Sequence, residues 1–251
     1  MKIVSRVARF VHSRGLEVVL VLSLISLIGQ LAWPSAVYWW RLPRPGTVGF
    51  DRFDSNSLAE EFVVYLPESY RKRELWPLVV FLHGAGDRGN DPSMVDDCGT
   101  LYRRLPAIVV IPQCLPSIVW KADAVAALIQ HVASSYRVDR KRIYLLGCSM
   151  GGYGTWRTAD AHPELFAAIV PICGGGSSEQ ATSLVAIPTW AFHGEKDSVV
   201  PVTESERMIA AIRKVGGHPK LTIIPSAGHG ICASVCDRAD LWEWLFKQRR
   251  W

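Results

Sequence analysis

The chain has 251 residues, of which 49% are hydrophobic and 20% are charged, and its formal net charge is +5. A chain of this length and composition can bury one sizeable core, so we expect a single catalytic domain. The positive charge does not indicate nucleic-acid binding, because the basic residues bunch at the two ends and otherwise alternate with acidic ones. No nucleic-acid partner is therefore expected.

An apolar stretch near the N-terminus, residues 18–40, contains no charged residue. About 20 mostly apolar residues suffice to span a membrane as a helix. With the basic segment 1–17 before it, the stretch fits either a secretory signal peptide or an uncleaved anchor. We favour a transmembrane signal anchor, because Gln30 and Pro34 stand where a signal peptidase requires small residues.

The charges around this stretch bear on its orientation. Segment 1–17 carries four lysines and arginines, and segment 41–57 carries three. This small difference predicts a cytoplasmic N-terminus and a domain on the extracytoplasmic, periplasmic side. Segment 41–57 is rich in proline, glycine and polar residues, so it is expected to be a linker to a domain at 58–251.

Past residue 58, short β-branched runs alternate with amphipathic stretches, a pattern typical of a mostly parallel, doubly wound sheet with helices on both faces. In such sheets, functional groups collect beyond the carboxyl ends of the strands. The predicted strands are Phe62–Leu66, Leu78–Leu82, Ala107–Ile111, Arg142–Gly147, Ala167–Pro171, Pro188–Phe192 and Leu221–Ile224. The predicted helices cover 123–136, 151–160, 203–214 and 238–248.

The segment Gly147-Cys-Ser-Met-Gly151 matches G-x-S-x-G and falls between a predicted strand and a predicted helix. A strand-to-helix turn of this kind is strained, and small residues at both ends let the neighbouring backbone approach. Ser149 is therefore the candidate nucleophile, and the start of the following helix favours negative charge beside it.

A serine hydroxyl becomes a good nucleophile only when a base takes its proton. His229 comes directly after the predicted strand at 221–224 and lies between two glycines, so its ring can stand free at the edge of the sheet. The other histidines have ordinary structural explanations. His229 is therefore the candidate base.

The base in turn needs an acid that fixes its tautomer. Asp197 and Glu195 both follow the predicted strand at 188–192. Asp197 is preferred, because the apolar residues 199–201 would bury it beside an imidazole, whereas Glu195 can point to solvent. The resulting chain order of serine, aspartate and histidine is known for such triads.

A tetrahedral intermediate needs two N–H donors at its oxyanion. Met150 directly follows the nucleophile, and Ala85 lies in His83-Gly-Ala-Gly86 after a predicted strand. We expect their N–H groups to form the oxyanion hole, with His83 shaping the loop. Trp120 is a candidate for the substrate pocket, although packing explains it equally well. The chemistry requires no metal and no organic cofactor.

The six cysteines would allow up to three disulfides in an exported domain. Cys148 and Cys173 end apolar runs, and free buried thiols are an equally good interpretation of both. A bond between Cys232 and Cys236, which would steady the loop of His229, is a further hypothesis.

From about residue 60 to 250, the chain resembles the bacterial α/β-hydrolases known as phospholipase/carboxylesterase, dienelactone-hydrolase-like proteins or predicted peptidases, with feruloyl-esterase-like and polyhydroxybutyrate-depolymerase-like relatives. The segments that carry the resemblance are 82–86, 136–144, 149–156, 171–176 and 191–201. The resemblance implies the same three roles for Ser149, Asp197 and His229. The chain departs from the family after His229, where residues 230–236 replace an expected polar and aromatic segment, and this leaves the substrate preference open.

These observations predict an α/β-hydrolase fold without a large cap, because the connection from Cys173 to Pro188 is too short for one. The expected activity is hydrolysis of small or polymer-linked carboxylic esters through an acyl-serine intermediate. Two alternatives are a serine peptidase of the prolyl-oligopeptidase type, which uses the same groups, and a membrane-tethered binding protein that keeps the fold without the activity.

Overall fold

The computed structural model of the chain describes residues 43–93, 95 and 105–250. Within these residues, no helix is both long enough and apolar enough to cross a membrane. The predicted anchor at 18–40 lies outside the described residues, as does Cys98. The described residues belong to one compact unit that begins at Pro43.

An eight-stranded sheet forms the centre of this unit, with the strand order β1-β2-β4-β3-β5-β6-β7-β8. The first two strands pair antiparallel with their neighbours, and the others run parallel. The strands are β1 (Val48–Arg52), β2 (Glu61–Tyr65), β3 (Trp76–Leu82), β4 (Ile108–Ile111), β5 (Val138–Cys148), β6 (Ala168–Ile172), β7 (Trp190–Gly194) and β8 (Lys220–Ile224). This arrangement confirms the predicted mostly parallel α/β fold.

Four helices lie in the connections between strands from β4 onward, and two more follow the last strand. They are α1 (Ala122–Ser135), α2 (Met150–Ala161), α3 (Ala181–Leu184), α4 (Thr203–Lys214), α5 (Cys232–Cys236) and α6 (Ala239–Lys247). Between β6 and β7, the chain forms only a short 3-10 turn at Ser178–Gln180 and the four-residue α3. This connection is too small to cover the sheet edge, as its length predicts.

The core lies on both faces of the sheet, because alternate residues of a strand point to opposite sides. On one side, Val79, Tyr144 and Leu146 belong to a buried cluster that includes Leu241 and Leu245 of α6. The helices α1 and α2 pack against β5, and their buried residues lie outside this cluster. Burial on both faces explains why β3, β4 and β6 are almost entirely apolar.

The segment expected to be a linker, 41–57, contains β1, and the sheet therefore begins earlier than predicted. β1 pairs with β2 over its whole length, from Val48 opposite Tyr65 to Arg52 opposite Glu61. The strand was missed because glycine, aspartate and arginine interrupt its sequence, VGFDR. Its residues are only partly buried or exposed, and they form no apolar run.

The parallel strands bring their carboxyl ends to one edge of the sheet. β3 is followed there by residues 83–87, β5 by Ser149, β7 by Asp197 and β8 by His229. At this edge, His229 is hydrogen-bonded to Asp197, which lies 32 positions before it in the chain, and to Ser149, which lies 80 positions before it.

Candidate active site

Ser149 occupies the sharp turn between β5, which ends at Cys148, and α2, which begins at Met150. Its backbone angles are φ 57° and ψ −115°. A residue other than glycine rarely adopts such angles unless the surrounding structure imposes them. The turn thus holds the hydroxyl away from the sheet, at the start of a helix.

The two glycines of the G-x-S-x-G segment allow this turn to form. A Cβ atom on Gly147 would lie 2.3 Å from the carbonyl oxygen of Gly151. A Cβ atom on Gly151 would lie 1.9 Å from the carbonyl oxygen of Leu82 in the neighbouring strand. Both contacts are with backbone atoms, which cannot rotate away. Any larger residue at either position would therefore displace the nucleophile.

His229 lies in the loop between β8 and α5. Its Nε2 atom is 2.8 Å from the hydroxyl oxygen of Ser149, and its side chain is 24% exposed. The distance is that of a hydrogen bond in which the serine hydroxyl donates to the imidazole. The structure therefore brings the predicted base into direct contact with the predicted nucleophile.

Asp197 holds the other side of the imidazole. The Nδ1–H group of His229 donates to Oδ2 of Asp197 over 2.7 Å. The backbone N–H groups of Val199 and Val200 both donate to Oδ1 over 2.9 Å. Burial by itself would raise the pKa of Asp197, but the hydrogen bonds from His229, Val200 and Val199 outweigh it and leave the pKa below its usual value. The carboxylate is thus kept charged and fixes the tautomer of the base.

Glu195, the alternative acid, does not contact His229. Its carboxylate accepts a hydrogen bond from the backbone N–H of Ser226 over 2.7 Å and stays exposed. It holds the start of the loop that carries His229, and Asp197 is the carboxylate that the structure brings to the imidazole.

A second histidine lies against Asp197. The Nε2 atom of His193 is 3.3 Å from Oδ2 of Asp197 and 2.9 Å from the carbonyl oxygen of Val200. Its Nδ1 atom is 2.7 Å from the hydroxyl oxygen of Ser205. This residue was not among those predicted from the sequence. The sequence feature that could have indicated His193 is its position four residues before Asp197, at the end of an apolar run.

Cys173 completes the surroundings of the acid. Burial and a hydrogen bond to Asp197 contribute to raising the pKa of its thiol to about 12, so the thiol stays protonated. The potential metal-ligand atoms of Cys173, His193 and Asp197 lie within 4.8 Å of one another. All three residues are already hydrogen-bonded, and Asp197 is engaged with His229. Cys173 and His193 therefore help to hold the Asp197 carboxylate in place.

The two predicted oxyanion donors both begin helical segments. Ala85 is the first residue of a 3-10 turn at Ala85–Asp87, and Met150 is the first residue of α2. The first N–H groups of a helix have no partner inside it, so they are available to an external oxygen. A Cβ atom on Gly84 would lie 3.8 Å from Cβ of Ser149, which shows how closely the Ala85 loop approaches the nucleophile.

His83 is buried and supports this loop. Its Nε2 atom accepts a hydrogen bond from the N–H of Cys114, and its Nδ1 atom lies 2.6 Å from the carbonyl oxygen of Gly84. Burial lowers the pKa of His83, which keeps the ring neutral. These contacts fit the loop-shaping role expected from the sequence.

Trp120 does not line the substrate pocket, so that expectation is wrong. Its side chain is 0% exposed, and its Nε1–H group donates to the carbonyl oxygen of His83 over 3.1 Å. Its ring contacts the ring of His83 edge to face, with centroids 4.8 Å apart. Trp120 thus packs beneath the loop of Ala85, which is the packing role left open by the sequence.

A pocket of about 410 Å³ opens above the nucleophile. Its floor and walls include Phe81, Ala85, Cys148 and Cys232, together with Ser149 and His229. Val199, at the pocket, is 66% exposed. The pocket is mostly apolar near the reactive groups and open to solvent, which suits the acyl or alcohol part of an extended molecule.

Comparisons with known proteins agree with this geometry. The family model described as PET hydrolase-like matches residues 117–229, which include all three residues of the triad. A bifunctional acetylxylan esterase/xylanase of Neocallimastix patriciarum is 26% identical over 157 residues, which are 60% of this chain and 23% of that protein.

Among solved structures, a thermostable esterase superposes with a TM-score of 0.75 and 31% identity, covering 81% of this chain and 63% of that one. A feruloyl esterase module from Clostridium thermocellum superposes with a TM-score of 0.58 and 18% identity, covering 78% and 88% of the two chains, and shows the shared fold. The chain thus spans less than two thirds of the length of the acetylxylan esterase/xylanase and of the thermostable esterase. The chain therefore has the α/β-hydrolase fold and is similar in sequence and structure to esterases.

Proposed function

We propose that the protein hydrolyses carboxylic esters through an acyl intermediate on Ser149. The observation that carries the proposal is the continuous relay from Ser149 to His229 over 2.8 Å and from His229 to Asp197 over 2.7 Å. A serine, an imidazole and a carboxylate in this order form the machinery of acyl transfer.

In the first half of the reaction, Nε2 of His229 takes the proton of the Ser149 hydroxyl as its oxygen attacks the ester carbonyl carbon. The negative charge that develops on the carbonyl oxygen is stabilised by the N–H groups of Ala85 and Met150. When the tetrahedral intermediate collapses, His229 gives its proton to the departing alcohol. Asp197 stabilises the imidazolium throughout and does not itself take the proton.

In the second half, a water molecule takes the place of the alcohol. His229 removes a proton from this water as its oxygen attacks the acyl carbon. The second tetrahedral intermediate uses the same two N–H donors, and its collapse releases the acid and returns the proton to Ser149. Apart from the ester and this water molecule, the steps use only groups of the chain.

The open pocket favours an ester that is presented at the end or side of a larger molecule. The connection between β6 and β7 leaves the pocket uncovered, and Val199 stands in solvent at its mouth. The names of the relatives, which include an acetylxylan esterase and a feruloyl esterase module, are consistent with polymer-linked esters as substrates.

A panel of p-nitrophenyl esters and matching p-nitroanilide peptides tests the proposal. We expect ester hydrolysis, and we expect Ser149→Ala to lower it about 10⁴- to 10⁶-fold while the circular dichroism spectrum is unchanged. The matched control is Ser134→Ala, which removes a hydroxyl from the exposed face of α1. A clear preference for the peptides would show that the protein is a peptidase and not an esterase. Failure of the wild type to react with a fluorophosphonate probe would favour the alternative of a binding protein that keeps the fold without the activity.

We also propose that residues 18–40 anchor the protein in a membrane, with the catalytic domain on the extracytoplasmic side. The absence of charge over this stretch supports the proposal. The test is carbonate extraction of membranes that contain the full chain or the variant Leu24→Arg/Leu27→Arg. We expect the wild type to remain with the membranes and the variant to be released. Release of both would overturn the anchor, and protection of the domain from external protease in spheroplasts would overturn the orientation.

A further inference from the structure

Three thiols lie side by side next to the candidate active site. Cys148 directly precedes Ser149, and Cys232 follows His229 by three residues. Both are half-buried and line the pocket above the nucleophile. Cys232 is hydrogen-bonded to Cys148 on one side and to Cys236 on the other. The mechanism of ester hydrolysis uses none of the three.

The central position of Cys232 makes it the most reactive of the three. The hydrogen bonds that it receives from Cys148 and Cys236 lower the pKa of its thiol below the usual value. The same contact with Cys232, together with burial, raises the pKa of Cys148. Because the thiolate is the form that attacks a disulfide, Cys232 is the thiol that reacts first.

Helix geometry favours Cys148 over Cys236 as the disulfide partner of Cys232. Cys232 and Cys236 are one turn apart on α5. Residues four apart on a helix have Cβ atoms about 5–6 Å apart, whereas a disulfide needs about 3.5–4.5 Å. A bond within α5, as the sequence suggested, would therefore distort the helix. Cys148 belongs to a different element, so its sulfur is free of this constraint.

We propose that Cys148 and Cys232 form a redox site in which a disulfide joins the nucleophile turn to the loop of the base. The bond would close between the residue before Ser149 and the first residue of α5, on the wall of the pocket. This inference does not depend on the nature of the substrate.

The bond forms by exchange with a small disulfide such as oxidised glutathione. The thiolate of Cys232 attacks one sulfur of that disulfide, which makes a mixed disulfide and releases one glutathione thiolate. The sulfur of Cys148, having lost its proton to solvent, then attacks the sulfur of Cys232 and displaces the second glutathione. The protein loses two protons and two electrons, and the oxidant takes them up and becomes two glutathione thiols.

We expect the disulfide to restrict the movement of the loop that carries His229. His229 lies on a loop that begins at the last strand of the sheet, and the new bond would fasten the far end of this loop to β5. A disulfide that closes a long loop stabilises a protein mainly by restricting the unfolded chain. We expect the oxidised form to melt about 5–10 °C above the reduced form.

The test uses the full chain equilibrated with oxidised or reduced glutathione, alkylated, digested and analysed by mass spectrometry. We expect a peptide pair joined through Cys148 and Cys232 in the oxidised wild type and in Cys236→Ser. The matched control Cys114→Ser changes a cysteine outside the cluster and should form the same bond. Cys148→Ser and Cys232→Ser should lose both the bond and the redox-dependent shift in melting temperature.

Three results would overturn the inference: a bond between Cys232 and Cys236, a bond that involves Cys173, or full alkylation of Cys148 and Cys232 after oxidation. Peptide mapping of the wild type decides among them even if a serine variant does not fold. Because the readouts are peptide mass and melting temperature, the result is independent of whether the protein hydrolyses esters.

Discussion

The nucleophile turn (residues 147–151) and the base loop (residues 225–231) position the two reacting side chains in different ways. In the nucleophile turn, a Cβ atom added to either glycine would lie less than 3 Å from neighbouring backbone atoms. In the base loop, a Cβ atom added to Gly230 would meet nothing within 4 Å. Both glycines of the turn are thus closely packed, whereas the base loop has open space beside Gly230, and the imidazole itself is held by its hydrogen bonds to Asp197 and Ser149.

The position in the sheet explains the difference. β5, which leads into the nucleophile turn, lies between β3 and β6, whereas β8, which leads into the base loop, is at the edge of the sheet. A strand with neighbours on both sides cannot shift without breaking two ladders of hydrogen bonds, and an edge strand is held on one side only. The position of Ser149 is therefore fixed mainly by packing, and that of the His229 imidazole mainly by the buried carboxylate of Asp197.

The largest effect is expected from removing the charge that holds the base. Asp197→Asn keeps an oxygen for the N–H groups of Val199 and Val200 but presents an amide N–H group to Nδ1 of His229. The imidazole then carries its proton on Nε2 and cannot accept the proton of Ser149. We expect kcat for a p-nitrophenyl ester to fall about 10⁴-fold.

The matched control is Glu195→Gln, which changes the other carboxylate of the same connection, one that does not contact His229. It should alter kcat less than about 3-fold, since a surface substitution away from such contacts usually has a small effect. Equal losses in the two variants would contradict the assignment of the acid.

The next largest effect is expected in the nucleophile turn. Gly151→Ala places a methyl group 1.9 Å from the carbonyl oxygen of Leu82, so β3 and α2 must move apart. We expect the melting temperature to fall by about 10 °C or more and kcat to fall at least about 100-fold as the hydroxyl moves. Calorimetry and the ester assay measure the two losses. A normal melting temperature would show that the turn is not fixed by packing.

A smaller effect is expected from acid. The pKa of Asp197 is lower in the folded protein than its usual value of 3.8, so its contribution to stability is complete above that value and is lost as the pH falls below it. We expect the melting temperature of the wild type to drop more steeply than that of Asp197→Asn between about pH 5 and pH 2. Parallel curves for the two proteins would show that the carboxylate does not stabilise the fold.

The smallest effect is expected in the base loop. Gly230→Ala meets open space, and the backbone there does not have the positive φ that excludes other residues. We expect kcat to change less than about 2-fold and the melting temperature to rise by about 1–3 °C, because alanine restricts the unfolded chain. A loss of activity comparable to that of Gly151→Ala would remove the distinction between the two regions.

The features that follow from local pattern could be predicted from the sequence. Most strands appear as apolar runs, and Ser149, Asp197 and His229 each follow one of these runs, so the edge at which they meet could be inferred. β1 could not be predicted in this way, because glycine, aspartate and arginine interrupt its sequence and leave no apolar run.

Other features depend on which surfaces meet. Local pattern cannot decide whether Trp120 faces the pocket or packs beneath His83, since either environment suits a tryptophan. The contact between Cys148 and Cys232 likewise joins elements that are far apart in the chain. The support that His193 gives to Asp197 depends on the chain turning back after β7, which no local pattern records.

Val199 combines two features that are usually found in different residues. Its backbone N–H group holds the carboxylate of Asp197, and its side chain stands in solvent at the mouth of the pocket. Every residue except proline carries that N–H group, so the side chain can be exchanged without removing this hydrogen bond to the acid. The position is therefore a place where evolution or an engineer can adjust which substrates are accepted while the chemistry stays the same.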